Sequence, residues 1–180
     1  MMQDVWWRLL EKNNVRRPGG TLMPPVQCIG KDGVVRTFNY TYSAPSMVGE
    51  SHTFFIATVP LPASGNQFQM TLEDIDDNNV RVVMSDHLND EAYASKGIAE
   101  AMIPVIARVL NKNVHSSSGT ALQSGRYRLP RATAYWRRTA GATYKQDEDV
   151  FTYPRPAPAA AARDAIAEEK KDDACHENNG

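Results

Sequence analysis

The sequence predicts an α+β fold: a mixed, mostly antiparallel sheet flanked by helices over residues 1–153, with a disordered C-terminal tail over residues 154–180. Three observations lead there. Between residues 26 and 85, β-branched and aromatic residues alternate with polar ones in segments joined mostly by short polar turns. After Asp90 the apolar spacing becomes helical, with a strand set between two helices. After Tyr153 the chain turns to proline, alanine and charge, with too little apolar surface to bury.

The first element covers residues 5–12. Trp6, Leu9 and Leu10 share one face of a short amphipathic helix, Asp4 is placed to cap it, and Pro18 and Gly19 end the segment. Residues 26–29 form a short strand. Asp32-Gly33 sits at the core of a turn over 30–33, and residues 34–42 alternate, with Phe38, Tyr40 and Tyr42 on one side. Residues 52–59, 67–72 and 80–85 are further strands, with Pro60 and Pro62 stopping the first of these. Consecutive strands on short turns make an antiparallel meander.

A helix over 95–110 carries apolar residues on most sides and is expected to be largely buried, with Pro104 kinking it. A short strand over 114–116 comes next, followed by a Ser/Gly/Arg-rich loop. A helix over 130–139 begins at Pro130, a residue suited to a first helical turn. One bent strand, or a pair, spans 142–153. The strand–helix–strand succession from residue 80 to 116 forms a right-handed crossover, so its two strands are expected to lie parallel and adjacent.

Composition limits the function. The 180 residues are 42% apolar and 23% charged, as in an ordinary globular protein. No run approaches the ~18 apolar residues of a spanning helix, and residues 1–14 lack the apolar core of a secretory signal. Two cysteines, Cys28 and Cys175, exclude a disulfide scaffold and a four-cysteine zinc site; a reducing, cytoplasmic setting is expected. The net charge is −1, but residues 163–180 carry three basic and six acidic side chains, which leaves the rest near +2. So weak a basic excess does not by itself imply a nucleic acid. No His/Cys/Asp/Glu set has metal-ligand spacing, so no metal is expected.

Chemistry concentrates in residues 80–102. A strand feeds a loop, and the loop feeds a helix that opens Ser95-Lys96-Gly97-Ile98-Ala99. Small residues admit a ligand to the backbone, helix-start amides bind phosphate oxygens, and Lys96 adds a positive charge. An ordinary helix start with a packing glycine is the alternative, because neither the Walker nor the dinucleotide glycine series is present. A second segment, residues 130–144, runs alanine and aromatics into Gly141 and then a strand.

Together these segments resemble the GNAT acyltransferase superfamily over about residues 52–153. In that family a bulged strand precedes a loop of pattern Gln/Arg-x-x-Gly-x-Gly/Ala that holds the pyrophosphate of an acyl-coenzyme A. Gly97 and Ala99 match the end of that pattern, while Ala94 stands where the family has Gln or Arg. The front of the chain departs from the family, which has two helices before the meander; those helices line the acceptor pocket. The resemblance implies a GNAT-like domain over 1–153, of bacterial or phage-like compactness, acting as an acyl-CoA-dependent N-acyltransferase. Acetyl-CoA or another acyl-CoA is the implied co-substrate, and an amine on a small molecule, protein or nucleic acid is the acceptor.

By the same resemblance, backbone donors at Ser85 and Leu88 polarise the thioester carbonyl, and Ser95, Lys96, Gly97, Ile98 and Ala99 hold the cofactor. Asp86 or His87 serves as base and Tyr135 as acid, with Tyr144 a weaker candidate. Each has a plainer alternative: Asp86 a loop cap, His87 a surface histidine, Tyr135 a core or rim residue. Arg126, Arg128, Arg131, Arg137 and Arg138 are interleaved with Tyr127, Tyr135 and Trp136. They suit a cofactor 3′-phosphate, an acidic acceptor or a nucleic acid, or else form a solvated helix face. Two further function classes stay open: a catalytically inactive GNAT-like binding module, favoured by Ala94, and a nucleic-acid-associated protein using the arginine cluster.

Overall fold

The computed structural model describes residues 21–47, 49–120 and 127–157. The expected N-terminal helix over 5–12, Arg126, and the tail beyond residue 157 lie outside the described residues. Within them runs one eight-stranded sheet in the order β1-β2-β3-β4-β5-β6-β8-β7. Its strands are β1 (Thr21–Ile29), β2 (Val35–Ser43), β3 (His52–Ala57), β4 (Phe68–Asp76), β5 (Asn79–Asp86), β6 (Asn113–His115), β7 (Thr143–Lys145) and β8 (Val150–Tyr153). Two helices accompany it, α1 (Ile98–Leu110) and α2 (Pro130–Arg138).

The alternation read from the sequence decides which face is buried. Phe38 and Tyr40, Phe54 and Ile56, Phe68, Met70 and Leu72, then Val80 and Val82 point to one side, and all are buried. Met102, Ile103 and Ile106 of α1 and Trp136 of α2 join the same cluster. Trp136 stacks on Phe151 at 6.0 Å between ring centroids. Burying a large aliphatic side chain contributes about 1.5–3 kcal/mol, so this single face carries the fold.

The expected sheet flanked by helices is therefore corrected: a single mixed sheet dominates, and only two short helices of 13 and 9 residues lie among the described residues, both on one face. Between β2 and β3, residues 44–47 and 49–51 carry Pro45 and Gly49 and make only bends and a turn. On the other face Val35 and Ile75 stay exposed. Antiparallel strands tolerate one solvated face, which is why the meander persists uncovered.

Boundaries moved where turn chemistry was underestimated. The polar run after Leu72 belongs to the strands: β4 and β5 extend to a two-residue connection, Asp77-Asn78, and Asp76 accepts the Asn78 amide at 2.7 Å. The first long helix starts at Ile98 rather than Ser95, because Ser95 and Gly97 have φ of 59° and 75° and cannot be its first turn. The helix continues through Pro104 to Leu110.

The crossover fixes the functional geometry. β5 and β6 are parallel neighbours, paired at Asn79–Asn113, Val80–Val114 and Arg81–His115, as the right-handed connection demands. There the ladder ends, although β5 continues to Asp86. One residue later β5 bulges: Leu72 faces Val82 and Thr71 faces Met84, so Val83 is extra on its strand. The bulge reverses the alternation, turning Ser85 toward the side that Val82 faced.

Candidate functional site

A cavity of about 560 Å³ opens where β5 and β6 part company. Its floor comes from β5, from Val82 to Asp86, and its roof from the start of α1. One wall is the tip of the β1–β2 hairpin, Ile29-Gly30-Lys31; the opposite wall is residues 127–129 and α2. Nine of the ten residues singled out in the sequence line it: Ser85, Asp86, His87, Ser95, Lys96, Gly97, Ile98, Ala99 and Tyr135. Leu88 does not; it is 52% exposed, at φ 50°, in the turn that follows the strand.

Loop geometry gives several of these residues structural duties. Ser95 accepts the Lys31 amide at 3.0 Å through its main-chain carbonyl, which pins the hairpin tip to the loop before α1. Gly97 faces the same tip. A Cβ there would meet the main-chain carbonyl of Ile29, with its carbon at 2.9 Å. The space that glycine leaves is thus filled by β1 rather than kept open for a ligand. Asp86 accepts the Leu88 amide at 2.9 Å, the loop-capping role that competes with proton transfer.

The polar groups that remain are few. Nδ1 of His87 is buried and has no hydrogen-bond partner among the described residues. Tyr135 is half-buried, and burial pushes its phenol up to about 12 against the opposing pull of a hydrogen bond with Ser85. Such a phenol keeps its proton at neutral pH and releases it far less readily than a thiol of pKa ~8.5. It suits hydrogen-bond donation. Tyr144, the weaker candidate, donates to Asp149 at 2.8 Å and is absent from the cavity lining.

The arginine cluster divides into separate roles. Arg128 is a buried clamp. Its guanidinium donates to Thr133 Oγ1 at 2.9 Å, to Ser116 Oγ at 2.9 Å, to the carbonyls of Ser117 and Asp149 at 2.9 Å, and to Asp149 Oδ1 at 2.8 Å. It also lies 4.9 Å from the Phe151 ring centroid. Arg138, at the end of α2, donates from Nε to Glu100 in the first turn of α1 at 2.9 Å. Arg131 and Arg137 are exposed, and Arg131 lines the cavity.

Lys31, Lys96 and Arg131 consequently stand around the cavity without a carboxylate partner among the described residues. The cavity's two acids are engaged, Asp86 by a main-chain amide and Glu100 by Arg138. The lining charges without a carboxylate partner among the described residues are thus positive, and α1 adds the positive end of its dipole.

Sequence reasoning missed Lys31, Glu100, Ser117 and the deeply buried Tyr93, whose hydroxyl donates to the Asn66 carbonyl at 2.8 Å. Lys31 and Ser117 reach the site only through contacts between distant parts of the chain, and no local pattern marks them. Glu100 was readable as a helix first-turn acid, without its partner.

No known family, curated protein or solved structure matches this chain. Among the described residues no cluster of His, Cys, Asp or Glu could hold a metal ion, and no helix is long and apolar enough to cross a membrane.

Proposed function

We propose that the protein binds an acyl-coenzyme A in this cavity and transfers the acyl group to an amine in the cytoplasm. One observation carries the reading: three cations without a carboxylate partner among the described residues and a helix start surround a cavity floored by a bulged strand that has lost its parallel partner. Lys31, Lys96 and Arg131 would neutralise phosphates, with the first amides of α1 completing the cradle. Main-chain groups of β5 beyond Arg81, free of the β6 ladder, would meet the thioester carbonyl.

In the transfer, the amine nitrogen bonds to the acyl carbon and the carbon–sulfur bond breaks. His87 lines the cavity and would accept the amine's proton, since the Asp86 carboxylate is already taken by the Leu88 amide. Tyr135 donates a hydrogen bond to the departing thiolate, which then takes a proton from water. Ala94 favours a second reading, in which the ligand is bound but not turned over.

Thermal melting with acetyl-CoA tests binding. At about a hundredfold excess over Kd, stabilisation of about 2.7 kcal/mol is expected, a rise of about 5–10 °C for a domain of this size. No rise with acetyl-CoA or longer acyl-CoAs would remove the proposal. Thiol release in the presence of a panel of amines separates turnover from binding alone, and salt-sensitive retention on immobilised nucleic acid would reveal the third function class.

A further inference from the structure

Glu100 is out of place in a cavity built for an anion. It sits in the first turn of α1, where ligand phosphates would meet the helix amides, and its side chain is only 21% exposed. Its charge is felt across the site: it opposes ionisation of Cys28 beneath α1 and of Tyr135 on the far wall, in each case after burial. An uncompensated carboxylate there would repel what Lys31 and Lys96 attract.

We infer that Arg138 sets the cavity's preference for anionic ligands by neutralising Glu100, acting through that carboxylate rather than by touching the ligand. The geometry agrees. Nε and one terminal nitrogen of Arg138 both donate to the same Glu100 oxygen, which holds the guanidinium against that carboxylate at the cavity wall and leaves its other N–H groups outside this pair. The pair also joins the first turn of α1 to the last turn of α2, where a cation is favoured by the helix dipole. Arg138 is thus a positioning and specificity residue, distinct from Lys31, Lys96 and Arg131, which have no carboxylate partner among the described residues.

The inference rests on the acyl-CoA reading for the ligand's identity, and the test separates the two. Coenzyme A and inorganic pyrophosphate are titrated calorimetrically into four proteins: wild type, Arg138→Ala, Glu100→Gln and the double variant. Arg138→Ala is expected to bind about tenfold more weakly, Glu100→Gln as well as wild type or better, and the double variant to recover to within about threefold of wild type. Recovery is the readout that a purely structural role would not give, and circular dichroism confirms folding. A loss in Arg138→Ala that Glu100→Gln does not repair would mean that Arg138 contacts the ligand, and no loss would mean that the pair is indifferent; either overturns the inference. If wild type binds pyrophosphate but not coenzyme A, the acyl-CoA reading falls, and the same comparison with pyrophosphate still decides the role of Arg138. Binding of neither by wild type overturns both.

Discussion

Asp149→Ala is expected to destabilise the protein by about 3–5 kcal/mol, the cost of leaving a buried charge without its partner. Arg128 keeps only 5% of its side chain exposed, and Asp149 supplies it with both a carboxylate oxygen at 2.8 Å and a carbonyl at 2.9 Å. The carboxylate also accepts the Gly119 amide at 2.7 Å and the Tyr144 hydroxyl at 2.8 Å. One side chain therefore holds together the loop after β6, the approach to α2 and the β7–β8 hairpin. The carbonyl survives the substitution, but the charge does not. Urea unfolding measures the effect, and a loss below about 1 kcal/mol would show that water compensates Arg128. Removing both charges, as in Arg128→Met with Asp149→Ala, should cost less than Asp149→Ala alone, because no buried ion is left behind.

Acid sensitivity follows from the same pair. The hydrogen bonds from Tyr144 and Arg128 hold the Asp149 carboxyl down to about 2. Its unfolded value is ~3.9, so its contribution is complete above that pH and disappears as pH falls through about 2. Between pH ~4 and ~2 the wild type should lose stability more steeply than the Asp149→Ala protein.

Gly97→Val is expected to abolish folding or to remove at least about 3 kcal/mol of stability. At φ 75° any side chain is strained by about 1–2 kcal/mol, and a branched one by more. The collision with the Ile29 carbonyl adds to that strain, because main chain cannot yield as the end of a flexible side chain can. Relief requires β1 to withdraw from α1. Gly97→Ala should show the same effect in reduced form. Melting of both variants without any ligand decides the matter: a native midpoint for Gly97→Val would mean that the hairpin tip is not held against the loop. Loss of acyl-CoA binding in that variant would report on packing, whereas Lys96→Gln leaves packing intact and probes the ligand directly.

The strands were legible because the meander buries one face, so Phe38, Tyr40, Phe54 and Ile56 keep strict alternation. The parallel junction was legible because chirality leaves a strand–helix–strand unit one favoured closure. The helical cover was overestimated. The expectation was a sheet flanked by helices, while residues 44–47 and 49–51 hold none and both described helices lie on one face. The roles of the arginines were hidden for another reason. Arg128 and Asp149 stand 21 residues apart, and burial that depends on so distant a partner leaves no periodic trace. The packing duty of Gly97 was not legible either, since its neighbour Ile29 comes from the strand at the edge of the sheet.

That edge strand gives the molecule an uneven resistance to opening. Among the described residues β1 has a single neighbouring strand; it contains Pro24 and Pro25 and slips register between Met23 and Val26. Two missing amide donors protect the edge from pairing with a foreign strand, but they also weaken its own hold. Local unfolding of β1 is therefore less costly than unfolding of β3 or β4, which are paired on both sides. In hydrogen exchange, the Lys31 amide should be released by this partial opening, while the amides of Phe54 and Met70 wait for global unfolding. A ligand held between Lys31 and Lys96 would tie this edge strand to the central helix, and slowed exchange at Lys31 would be its most direct signature.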